Sequence, residues 1–67
     1  MTNIAEDRYI HFMQWNADGI APIDISVEDI LSVIQFSAFT SLIRTVGGAE
    51  VVVTDMLDDV RKKIAVS

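Results

Sequence analysis

Apolar residues are densest between Ser26 and Gly48, in the stretch SVEDILSVIQFSAFTSLIRTVGG. Wound at about 100° per residue, Val27, Ile30, Leu31, Ile34, Ala38 and Leu42 fall on one side of a helix. Val33, Phe36, Phe39 and Ile43 fall on the opposite side, and polar positions are confined to seams at Glu28, Gln35, Thr40 and Arg44. Both ends carry terminal signals. Ser26 has the hydroxyl of an N-cap, Asp29 stands at the N3 position of a capping box, and Ile25 with Ile30 fits a hydrophobic staple. Gly47 and Gly48 supply the positive φ that closes many helices. The pattern predicts a central helix from Val27 to Val46, roughly 30 Å long at about 1.5 Å per residue.

Two flanking helices are expected. NIAEDRYIHFMQWN, from Asn3 to Asn16, offers Asn3 as cap and Glu6 at its N3 position. Ala5, Tyr9, Phe12 and Met13 share a face there, with Ile4 and Trp15 on its flank and Asp7, His11 and Gln14 on the polar side. Asp18-Gly19 reads as the stop. Pro22 keeps the next residues extended, with Ile20, Ile23 and Ile25 turned to the core. After the paired glycines, Ala49, Val52, Val53, Met56, Leu57, Val60 and Ile64 recur at helical spacing and predict a third helix. Its early acids and late Arg61, Lys62 and Lys63 suit the helix dipole. The β-branched run Val51-Val52-Val53-Thr54 supports a rival reading, a short strand followed by a helix after Thr54.

The expected fold is therefore all-α, a small three-helix domain with a long central helix, occupying residues 1–67 as one unit. A helix apolar on two opposed sides must be covered on both. A chain of 67 residues with Cys 0 has little core of its own and no disulfide to compensate. A helical-bundle homodimer follows, with Val33, Phe36, Phe39 and Ile43 at its interface.

Charge narrows the partners. A formal net charge of −5 disfavours a phosphate backbone and permits attraction to a basic protein surface. Glu28, Asp29, Gln35 and Arg44 make a membrane span of the central stretch costly. The start of the chain lacks a basic segment followed by an apolar run, so the expected location is intracellular and cytoplasmic.

The candidate chemistry is thin. Placing Gly19 at position 6 of a calcium loop puts Gln14 and Ile25 at the two anchor positions that require Asp and Glu. His11 is the only histidine and has no Cys for company, so no zinc set can be assembled. Asp55, Asp58 and Asp59 read as a solvated face with lysine partners. A helix-turn-helix reading would turn Asp55 and Asp58 toward phosphates, which repel them. Neither a catalytic residue nor a cofactor is expected. The leading function is a non-enzymatic, acidic protein-binding module, an adaptor or inhibitor, acting as a homo-oligomer on an unidentified protein. The alternatives are a dimeric DNA-binding regulator subunit that gathers the C-terminal cations, and an acidic mimic of nucleic acid that blocks a DNA-binding protein. Duplex DNA should bind poorly at physiological salt, and a mobility shift at submicromolar protein would contradict this.

Overall fold

Alternation, with a period of two, governs most of this chain. In YIHFMQWN, Ile10 and Phe12 are buried while Tyr9, His11, Met13 and Trp15 point to the other side. That is the signature of a strand with one face on a core. The computed structural model describes residues 8–66. It contains β1 (Tyr9–Asn16), β2 (Gly19–Ser26), a short 3₁₀ turn η1 (Val27–Asp29), β3 (Ile30–Gln35), β4 (Ser41–Thr45), β5 (Glu50–Val53) and α1 (Leu57–Val66). The five strands form one antiparallel sheet in the order β2-β1-β5-β4-β3.

The all-α, helical-bundle expectation is overturned. The central stretch is not a helix but η1, β3, β4 and the start of the β4–β5 turn. Ser26 does sit at an N-cap position, yet without a side-chain cap bond, and the helix it begins is three residues long. Ile30, Val33, Ile34, Ile43 and Thr45 are β-branched, losing rotamer freedom in a helix and packing well across a pleated sheet. Apolar residues on both sides of an assumed helix become, in the sheet, two faces of strands. The first expected helix is β1 from Tyr9 onward, while Asn3, Ile4, Ala5, Glu6 and Asp7 lie outside the described residues. The third divides as its rival reading had it, into β5 and α1.

Both glycine signals mark hairpins rather than helix ends. Gly19 has φ +119° and Gly48 φ +97°, backbone that L side chains adopt only under strain. At the first turn the Asp18 amide donates to Asn16 Oδ1 at 2.9 Å. At the second, the Thr45 amide donates to the Ala49 carbonyl at 2.9 Å and the Gly48 amide to the Thr45 carbonyl at 3.0 Å.

The sheet has to curl. β2 and β3 are its opposite edges, four strand spacings apart, so a flat sheet would hold Ser26 and Ile30 more than about 19 Å apart. Ser26 and Ile30, joined only by η1, span at most about 14 Å fully extended, and less as a 3₁₀ turn rising about 2 Å per residue. The Val27 amide donates to the Arg8 carbonyl and the Val46 amide to the Asp29 carbonyl, each at 2.8 Å, so the connector touches both ends of the curl.

The concave side holds the core: Ile10, Phe12, Ile25, Ile43, Val51 and Val53 from the strands and Val60 from α1. A register shift between Ile30 and Ser32 leaves Leu31 as the extra residue, so Ile30 and Val33 both reach this core. Ser41, fully buried, donates its hydroxyl to the Asp55 carbonyl at 2.8 Å and ties β4 to the turn before α1. Lys63 completes the docking of α1. Its Nζ lies 2.7 Å from Asp55 Oδ2 and 3.2 Å from the His11 carbonyl, and 5.0 Å from the centre of the Phe12 ring.

Leu31, Ile34 and Ala38, expected in the core of a helical protein, are exposed. Ile43→Ala should cost roughly 2–5 kcal/mol in urea denaturation, and Leu31→Ala less than about 1 kcal/mol. Equal losses at the two positions would contradict the curled sheet.

Candidate interaction surface

The same alternation that fills the concave side dictates what the convex side presents. Ile20 pairs with Trp15, Val52 with Leu42, and Leu42 with Ile34. β1 meets β5 at Gln14 and Val53, so one residue on along each antiparallel strand Trp15 stands beside Val52. Ile20, Trp15, Val52, Leu42 and Ile34 thus form one apolar row crossing all five strands, on the side away from Val60 and the core. Phe36, just past β3, extends it. Together with Trp15, Asn16, Ala17 and Val52 it lines an open groove of about 280 Å³.

The exposure here is large. Trp15, Ile20 and Phe36 are 51%, 59% and 54% exposed, whereas Leu42 is sunk to 9%. With Ile34, Met13 and Val52 the apolar area is on the order of 500 Å², near the upper end of the largest patch on ordinary monomers. Its charged neighbours are paired. Arg44 Nε lies 3.2 Å from Glu50 Oε2 on the row next to Leu42 and Val52. His11 Nδ1 lies 2.9 Å from Asp24 Oδ1 farther along the β1–β2 hairpin. Both pairs are well exposed and contribute little to stability, about 0–1 kcal/mol each.

The four residues expected at an interface are dispersed. Ile43 is fully buried inside the curl and Val33 is packed against that core. Phe36 joins the convex row, and Phe39 stands exposed in the Phe36–Thr40 turn. That turn is held by the Phe36 amide on the Thr40 carbonyl at 3.0 Å and by contact between the Ser37 and Thr40 hydroxyls. Trp15, Ile20 and Val52 escaped notice as surface residues. The aromatic residues Tyr9, Phe12 and Trp15 are a strand signal for β1, whereas Ile20 and Val52 join Trp15 only through cross-strand pairing.

His11 and Asp24 form an exposed pair, and Asp7 lies outside the described residues. Among the described residues no group of three or more His, Cys, Asp or Glu side chains is placed to hold a metal ion. Nor is any helix among them long and apolar enough to cross a membrane. No protein-family model matches this sequence, and no curated protein or solved structure matches it significantly.

Trp15 is the one tryptophan, so its fluorescence reports on the row directly. In dilute solution acrylamide should quench it readily, as a half-exposed indole. Quenching as weak as that of a buried tryptophan would place Trp15 inside the core and dissolve the surface described above.

Proposed function

We propose that this chain is a non-enzymatic, acidic protein-binding module that works by association, as a homo-oligomer, through the convex face of its sheet. The observation that carries this reading is the continuous apolar row from Ile20 to Ile34, which α1 leaves uncovered. A small domain that exposes Trp, Phe and Ile side by side loses solubility unless that surface has a use. Aromatic side chains beside a recessed aliphatic one are also the composition of binding hot spots.

The DNA-regulator alternative draws less support. Lys63 is engaged with Asp55 and the His11 carbonyl, which leaves Arg61 and Lys62 on α1 close behind Asp58 and Asp59. So sparse a set of cations is a weak footprint for a phosphate backbone.

Site-specific photo-crosslinking in the native host tests the proposal. A photoreactive residue at position 34 or 36 should form protein adducts, and one at position 62, on the exposed side of α1, should form few. Equal adduct formation at all three positions, or none at 34 and 36, would overturn it.

A further inference from the structure

We infer that the occupant of the convex face is a second copy of this chain, packed sheet on sheet about a two-fold axis that runs along β5. The inference rests on the association reading above and names its partner. Three features of the face favour a copy over another protein.

The first is shape. A two-fold axis lying between two sheets and parallel to β5 exchanges left and right across the strands. It sets β1 of one copy over β4 of the other, so the prominent Trp15 faces the recessed Leu42. By the same operation Ile20 on β2 faces Ile34 on β3, and Val52 meets its own copy. The row is therefore self-complementary.

The second is charge. A basic partner would be drawn by acids on the face, but Arg44 compensates Glu50, and Asp24, in contact with His11, lies farther along the β1–β2 hairpin from the row. Glu28 and Asp29 sit in η1, Asp58 and Asp59 on α1, and Asp55 is bound to Lys63. The face accordingly offers little to attract a basic protein and little to repel a copy that is itself acidic.

The third is area. Interfaces are about 56–65% apolar, so an apolar patch on the order of 500 Å² corresponds to about 800 Å² per partner, the size of a stable interface. That is under a fifth of the 4487 Å² of accessible surface.

Sedimentation equilibrium from micromolar to millimolar loading tests this. The parent should pass reversibly from 7.4 kDa toward twice that mass, and acrylamide quenching of Trp15 should fall over the same range. Val52→Glu places two carboxylates face to face on the axis and should weaken association by more than about 100-fold. Val52→Lys should do the same, and mixing the two variants should restore the dimer, with circular dichroism confirming that each is folded. Leu31→Glu, away from the row, should leave the parent's behaviour unchanged. A mass fixed at 7.4 kDa throughout, or a dimer that survives Val52→Glu, would overturn the inference. If the mass stays monomeric while crosslinks from position 34 reach other proteins, the second copy and the homo-oligomer are both wrong, and binding of another protein through the convex face stands. Should either variant fail to fold, the concentration dependence of Trp15 quenching in the parent decides alone.

Discussion

The rest of this molecule depends on the shortness of the link between the two edges of its sheet. β2 and β3 sit at opposite ends of the strand order, yet only Val27, Glu28 and Asp29 lie between them. A flat sheet cannot satisfy that distance. Curling brings the Ser26 end of β2 within reach of the Ile30 end of β3 and encloses a concave space that Ile10, Phe12, Ile25, Ile43, Val51 and Val53 can fill. It also leaves that space open on one side, where α1 supplies Val60 and the Lys63 ammonium over the Phe12 ring. A helix of ten residues is sufficient because the curl has already closed most of the core.

Economy inside has a consequence outside. One helix can cover one face, so the alternate residues of every strand face away from the core. Polar side chains would make that convex face ordinary, and at Glu50, Arg44, Asp24 and Ser32 they do. The row through Trp15, Val52 and Leu42 is the exception. The exposed edges, by contrast, are guarded against strand addition: Pro22 removes a backbone donor from β2, and the shift at Leu31 bends β3. The proposed association is therefore directed to the face and away from the edges.

The seam at α1 joins polar and apolar contacts. Ser41 and Lys63 approach Asp55 from different elements, one at its carbonyl and the other at its carboxylate. The turn into α1 is thereby fixed to β4 on one side and to the helix on the other. Buried hydroxyls are tolerated when they find such partners.

Much of the local punctuation was legible from the residues alone. Asp18-Gly19 and Gly47-Gly48 mark the places where the chain reverses, Ser26 begins a helical turn, and the charge order of Asp58, Asp59 and Lys63 belongs to a helix. The rival reading of Val51–Thr54 identified β5 from its β-branched run. Periodicity could not decide between helix and strand from Ile30 to Thr45, because apolar residues there satisfy both repeats. Val33 and Ile43 show why: opposed to Leu31 and Ile34 on a helical wheel, they are cross-strand partners on the concave side of a sheet. Charge, size and the absence of cysteine were determined by sequence. Which apolar residues lie inside the curl and which outside was decided by pairing between strands. Leu42 and Ile34 meet within the β3–β4 hairpin, but Trp15 and Val52 become neighbours only when β1 pairs with β5, and no local pattern encodes a contact made over that separation.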